Sequence, residues 1–277
     1  MRRDSPSRTA VAVALARAVA GASAPSPDLF AVELLPRHIA SLARGSERLG
    51  AARRWLAPGF VDHLALRTAA IDEALLASLA AGVDQVVLLG AGLDARAFRI
   101  PELVAADVFE VDHPATQRAK RRRARMMTST SRTHRYVPVD FERDDLSEAL
   151  GEAGHDSSRP SCWVWEGVTM YLPEPATRGT LSSLHARSPA GSRLIATYAR
   201  PLSRLGPFRQ AVHRAFERLG EPLVGLMTPS HFGDLLADER WTRQSDSGYR
   251  DWRARYGYGM PLAFSVAERL AVAACAR

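Results

Sequence analysis

The chain has 277 residues, 46% of them hydrophobic, which suffices to bury a sizeable core within one α/β domain. Its formal charge is +7, but Lys120 is the only lysine among 37 cationic residues, so the skew reads as arginine-rich composition and sets a nucleic-acid partner aside. No apolar run is long enough to cross a bilayer, and Cys162 and Cys275 stand far apart in apolar runs, as buried thiols of a cytoplasmic protein do.

The first element is a helix over residues 7–20. Arg2, Arg3 and Ala22-Ser23-Ala24 imitate a secretory leader, yet Arg17 interrupts the apolar run and Val11, Leu15, Ala18 and Val19 fall at helical spacing. Two further helices follow over 28–44 and 61–81, the first carrying Phe30, Leu34, Leu35, Ile39 and Leu42 on one face. The stretch "VVLLGAGLDARAFRI" then reads as a buried parallel strand, a turn through Gly90 and Gly92, and a helix. Glycines at that place let the backbone approach a nucleotide-like ligand across the strand's end. Strands over 108–111, 136–139, 162–165 and 193–198 alternate with helices over 114–127, 146–153 and 175–186, which implies βαβ units and a parallel sheet. The basic run from Lys120 to Arg123 falls on the first of these helices and reads as a solvated face, since no aromatic residues interleave with it. From 201 to about 258 the β rhythm lapses into helix-like segments, read as a cap, before antiparallel strands over 264–266 and 270–274. The expected organisation is a single domain: an N-terminal helical layer (1–82), a cofactor-binding core (83–200), a cap that holds the substrate (201–259) and closing strands (260–277).

The glycine turn alone fits a nicotinamide enzyme as well as a methyltransferase. Asp112 ends the second strand, where a carboxylate accepts hydrogen bonds from ribose hydroxyls in both classes. Asp140 and Phe141 end the third strand, where a carboxylate and the following N–H can read an adenine edge. Glu166 ends the fourth, and Arg67 precedes the first, a bidentate partner for a carboxylate. Asp94 and Arg96 read either as cofactor contacts or as a local ion pair that holds the turn. Asp112 as a helix cap and Glu166 as a helix-start carboxylate are the plain structural alternatives.

In order along the chain, "SRTAVAVALARAVA", "PDLFAVELL", "RTAAID", "GAGLDAR", "EVDHP", "DFERDDL" and "EGVTMYLP" resemble the leucine carboxyl methyltransferase family, and more closely its bacterial small-molecule O-methyltransferase branch. The resemblance implies a Rossmann-like class I methyltransferase sheet of about seven mostly parallel strands, with N-terminal helices and a helical cap. It implies S-adenosyl-L-methionine as cofactor, with Arg67 on its carboxylate, Gly90 along its amino-acid end, Asp112 on ribose, Asp140 and Phe141 where the family has an Asp-Leu pair near adenine, and Glu166 as the acid after the fourth strand; Gly92 and Asp94, in the turn itself, are read as cofactor-binding with them. A lysine that eukaryotic members place near their N-terminus has no counterpart; Arg8 and Arg17 are the cations of that stretch.

A carboxylate acceptor is ionised at neutral pH and needs no base, whereas a phenol does. Tyr171, His213 and His231 are the candidates for such a base, with His113 placed at the cofactor edge. The expected activity is O-methylation of a small-molecule carboxylate or acidic hydroxyl, flat and polyketide-like if the cap's aromatic residues and Arg200, Arg204 and Arg209 line the pocket. An NAD(P)-dependent oxidoreductase, a tRNA methyltransferase and a non-catalytic scaffold are the competing readings. The eight histidines show no metal-ligand spacing, no Cys-x-x-Cys or Gly-x-Ser-x-Gly occurs, and the oligomeric state is left open. Arg67→Ala is expected to abolish cofactor binding and to leave the melting curve near that of the wild type.

Overall fold

Val86, Val87, Leu88 and Leu89 are at most 1% exposed, because β1 (Gln85–Leu89) runs through the middle of a sheet covered on both faces. The computed structural model describes residues 7–46, 59–141, 143–201, 214, 217, 221–260 and 267–275. On one side of β1 lie β2 (Asp107–Asp112) and then β3 (Thr133–Pro138); on the other lie β4 (Ser161–Trp165) and β5 (Arg193–Ala199), all parallel. β6 (Trp241–Gly248) and β7 (Glu268–Cys275) complete the order 3-2-1-4-5-7-6, with β7 antiparallel to both of its neighbours.

Strand order reverses between β1 and β4, which opens a crevice at the carboxyl ends of these strands. Register then decides what meets there. Leu89 lies level with Val111 of β2 and Trp165 of β4, so Gly90, Asp112 and Glu166 leave the sheet side by side.

Alternate residues of β1 feed two cores. Val86 and Leu88 join Leu34, Leu66, Ile71, Leu75 and Trp252 beneath α1 (Arg8–Ala20), α2 (Ala31–Leu34), α3 (Arg37–Ser46), α4 (Phe60–Ala80) and α10 (Tyr249–Tyr256). Val87 and Leu89 join Trp163, Trp165, Leu181, Phe232 and Trp241 beneath α7 (Leu146–Glu152), α8 (Glu174–Ala186) and α9 (Pro229–Asp238). The remaining helices, α5 (Arg96–Arg99) and α6 (Pro114–Ala124), follow β1 and β2. Local chemistry sets the ends: the Ser7 hydroxyl accepts from the Ala10 N–H at the start of α1, Asp145 caps α7, and Gly82, at φ +89°, turns the chain from α4 into β1.

Three expectations from sequence are corrected. The helix expected over 28–44 is two helices, because Pro36 cannot continue the first and leaves Leu35 extended. Residues 241–248, expected within a helical cap, form the edge strand β6; its pairing is irregular between Arg243 and Ser245, residues 242–245 are exposed, and Asp246 accepts from the Tyr198 hydroxyl. Lys120 is not on a solvated face. It is 1% exposed and donates to Glu110 Oε2 at 2.5 Å, Glu110 itself being fully buried on β2. The expected strand over 264–266 lies outside the described residues, whereas 270–274 falls within β7.

Lys120→Ala strands the Glu110 carboxylate beneath α6, so chemical denaturation should show a loss of about 3–5 kcal/mol. Lys120→Met together with Glu110→Gln should recover a substantial part of that loss.

Candidate functional site

A cavity of about 490 Å³ opens at the carboxyl ends of β1, β2 and β4. Arg67, Gly90, Gly92, Asp94, Asp112, Asp140, Phe141, Glu166 and Tyr171 all line it. His213 lies outside the described residues, and His231 sits exposed on α9 with its ring 2.9 Å from Glu174, away from the cavity. His231 is therefore corrected from a candidate base to a surface ion-pair residue.

The floor of the cavity is the turn after β1. Gly90 and Gly92 have φ of +64° and +50°, the left-handed region that glycine adopts freely. A β-carbon on Gly90 would collide with the Val168 side chain, and one on Gly92 would lie 3.1 Å from Ala10 of α1, so the turn is threaded tightly between the helix and the segment after β4. Asp112 faces this turn. Its carboxylate accepts from the Gly92 N–H and, at 2.6 Å, from the His113 N–H. The helix cap suggested for Asp112 is instead His113, whose Nδ1 accepts from the Ala115 N–H.

Burial raises the Asp112 carboxyl to about 6, although both backbone N–H groups favour its charged form.

The opposite wall is a charge network. Glu166, at the end of β4, accepts from three arginines: Arg17 of α1, Arg67 of α4 at 2.7 Å, and Arg96 of α5 at 2.6 Å. Burial works to raise its carboxyl, but the three guanidiniums overcome this and hold it well below the ordinary glutamate range. Arg96, fully buried, also holds Asp94 and, at 2.6 Å, Asp72. Asp94 is thus a partner of the turn's arginine while it lines the cavity. Arg67 continues the network to Glu268 on β7, donating at 2.8 and 2.9 Å to its two oxygens. His63, one helical turn before Arg67, meets the same carboxylate at 2.6 Å.

Glu268 and His63 escaped the sequence reading as site residues, and Arg17 had entered it only beside Arg8 as a stand-in for the N-terminal lysine of eukaryotic members. His63 had one available signal, its place in the stripe Phe60, His63, Leu64, Arg67 at i, i+3, i+4 and i+7, all four of which line the cavity. Glu268 had none, since nothing local distinguishes it from any strand-initial glutamate.

A parallel sheet closed by an antiparallel strand, a glycine turn after β1 and an acid at the end of β2 define the S-adenosyl-L-methionine-dependent methyltransferase class. Likeness to solved structures shows the same fold: a protein from Thermobifida fusca, provisionally named a methyltransferase, superposes with TM-score 0.61 at 16% identity over 99% of this chain and 96% of its own. A DUF574-family protein from Streptomyces avermitilis gives TM-score 0.61 at 16% identity, over 94% and 96% of the two chains. The family model of leucine carboxyl methyltransferase matches residues 10–185, and the chain belongs to that family. Its relatives include proteins provisionally named S-adenosyl-L-methionine-dependent methyltransferases. One from Mycolicibacterium vanbaalenii is 35% identical over 208 residues, 73% of this chain and 68% of the relative. Another from Frankia alni is 38% identical over 193 residues, 67% of this chain and 66% of the relative. The cofactor is S-adenosyl-L-methionine.

The residues present fit that cofactor. The glycine cradle, which a side chain would fill, admits a backbone-hugging ligand; Asp112 offers a carboxylate to a ribose diol; and the Arg67–Glu166 wall presents both charges to an amino-acid zwitterion.

The ionised Asp112 is the form that accepts two hydroxyl protons, so affinity for S-adenosylhomocysteine should be full above about pH 7 and fall as pH drops through 6. Calorimetric titration should show losses approaching about tenfold per pH unit below 6, and Asp112→Asn should flatten the profile. The structure also revises the expectation for Arg67→Ala. Arg67 is 4% exposed between two buried glutamates, so the variant should lose both cofactor binding and about 3–5 kcal/mol of stability, seen as a lowered melting temperature.

Proposed function

We propose that this protein transfers a methyl group from S-adenosyl-L-methionine to an oxygen of a small molecule. The observation that supports this reading is that one cavity is lined both by the charged and glycine residues described above and by apolar Val13, Phe60, Leu64, Met170, Leu172 and Pro222, which suit an apolar acceptor. Its total volume, about 490 Å³, suits a cofactor and a compact acceptor but not a folded macromolecule.

When bound, the cofactor supplies an electrophilic methyl group carried on a sulfonium. The work left to the chain is to hold, orient and exclude water. Asp112 would hold the ribose, Asp140 and Phe141 the adenine edge, and Arg67 with Glu166 the amino-acid end. Gly90 would allow the cofactor's amino-acid end to approach the backbone closely.

The charge of the cavity bears on the acceptor. Among the described residues it is lined by six carboxylates, on Asp94, Asp112, Asp140, Glu166, Glu221 and Glu268, and by three arginines, Arg17, Arg67 and Arg143. Arg17 and Arg67 are already paired, so an uncharged hydroxyl enters at lower electrostatic cost than a carboxylate. Of the arginines expected to favour a flat acidic acceptor, Arg200 does not line the cavity, and Arg204 and Arg209 lie outside the described residues.

Calorimetry should give micromolar binding of S-adenosylhomocysteine and none of NADH; the reverse would support the oxidoreductase reading. With a labelled methyl donor, label should pass to small hydroxyl compounds, and transfer to tRNA alone would replace this proposal with a nucleic-acid one.

A further inference from the structure

Positive charge is not spread along the chain as arginine-rich composition alone would spread it. Between Asp112 and Asp140 there is no acidic residue, while Lys120 and the arginines at 118, 121, 122, 123, 125, 132 and 135 all fall there. Of the chain's 37 cationic and 30 acidic residues, that stretch takes eight and none, which leaves 29 against 30 elsewhere. The surplus of +7 therefore resides in one place.

The fold sorts these cations. Lys120 is buried against Glu110, and Arg132 is held by Asp107. Arg118, Arg121, Arg122 and Arg125 are exposed at i, i+3, i+4 and i+7, on the side of α6 away from buried Thr116, Ala119, Lys120 and Ala124. Neither these four nor Arg123 has an ion pair among the described residues. Burial, and then the charge of Arg122, push the Arg123 guanidinium down from its ordinary value, so the cluster repels itself.

Apolar side chains extend the patch. Met126 follows Arg125 directly and is 86% exposed, and Val104, just before β2, is 69% exposed. The two segments are tied together at the amino ends of β2 and β3: the Thr130 hydroxyl donates to the Ile100 carbonyl at 2.7 Å, and the Arg132 N–H to the Ala106 carbonyl at 3.0 Å. Asp84 and Asp107, the acids of that edge, are taken by Arg159 and Arg132. Glu102 is the one acid of residues 101–105, against four exposed arginines.

We propose that this edge, the stripe of Arg118, Arg121, Arg122 and Arg125 with Met126 and Val104, docks on the surface of an anionic phospholipid bilayer. Guanidiniums in a row attract headgroup phosphates, each gaining roughly fivefold in partitioning. Exposed apolar side chains beside them gain by entering the boundary between headgroups and acyl chains. A nucleic-acid backbone would satisfy the arginines but not Met126 and Val104. Base stacking needs free rings, and the one Tyr of the stretch, Tyr136, lies under Arg121, 5.5 Å from guanidinium to ring centroid. Docking here leaves the cavity open, because it lies at the opposite ends of the same strands. The proposal concerns where the protein rests and is independent of what it methylates.

The test is co-sedimentation of the full chain with vesicles of phosphatidylcholine, alone or with about 30% phosphatidylglycerol, at about 0.1 M salt. The wild type should pellet with the anionic vesicles only, and high salt should release it. Replacing Arg118, Arg121, Arg122 and Arg125 together by Gln should lower partitioning at least about 100-fold. The same change at Arg37, Arg240, Arg250 and Arg253, exposed elsewhere and equal in net charge, should lower it less than about fivefold. Met126→Ser should weaken vesicle binding at least about threefold and leave elution from heparin unchanged. S-adenosylhomocysteine binding at the wild-type level reports that each variant folds. Failure of the wild type to bind anionic vesicles, or equal losses in the two arginine variants, would overturn the proposal. So would tighter binding to duplex RNA than to vesicles with Met126→Ser without effect, which would assign the stripe to nucleic acid.

Discussion

A single carboxylate, Glu166, receives three guanidinium groups that arrive on three separate elements. Each of these charges is removed from water, where an unpaired ion costs several kcal/mol, so none of α1, α4 or α5 can move away from the end of β4 without exposing or stranding a charge. Such a network is weak as a source of net stability and strong as a constraint on position. It fixes the N-terminal helices over one particular part of the sheet, the crevice where strand order reverses. From Arg96 it extends through Asp72 to Arg99, so the helices are pinned along a line and not at a point.

The same constraint shapes recognition. Arg67 is held by Glu166 and Glu268, so in its proposed role at the amino-acid end of the cofactor the entropy of ordering a long side chain is removed from the cost of binding. It also tempers the field. A wall of paired arginine and glutamate suits an amino-acid group bearing both an amine and a carboxylate better than it suits a bare anion, which separates the cofactor end of the cavity from a phosphate-binding cleft.

The parts legible in the sequence were those with local causes. Four of the five parallel strands announced themselves as short apolar runs between glycines, prolines and helical periods, whereas β3 starts at polar Thr133, before the expected 136–139; the glycine turn with Asp112 and Glu166 follows from the register of β1, β2 and β4. β6 was illegible because an edge strand buries little: only its ends, Trp241 and Gly248, are covered, so neither alternation nor an apolar run marks it. The pairing of Lys120 with Glu110 was hidden by composition, since one buried cation among arginines looks like another member of a basic face. Glu268 was hidden by distance in the chain, and the choice of Arg17 over Arg8 was too, because the meaning of each comes from partners on other elements and not from their neighbours.

β7 lies between β5 and β6 although it is the last strand in the chain, and it brings Glu268 to a group whose other members come from α4 and, through Arg67 and Glu166, from α1. The pairing of Glu268 with His63 and Arg67 therefore spans 205 and 201 residues of chain. Its loop-closure entropy must be met before the ion pairs reward it, so the pocket is a late, cooperative product of folding and not a preformed lobe. A nascent chain that has completed β1 to β5 holds the glycine cradle and Asp112 but lacks the carboxylate that orients Arg67 and His63. The ion pairs of Arg67 and His63 with Glu268 thus exist only once β7 lies in the sheet.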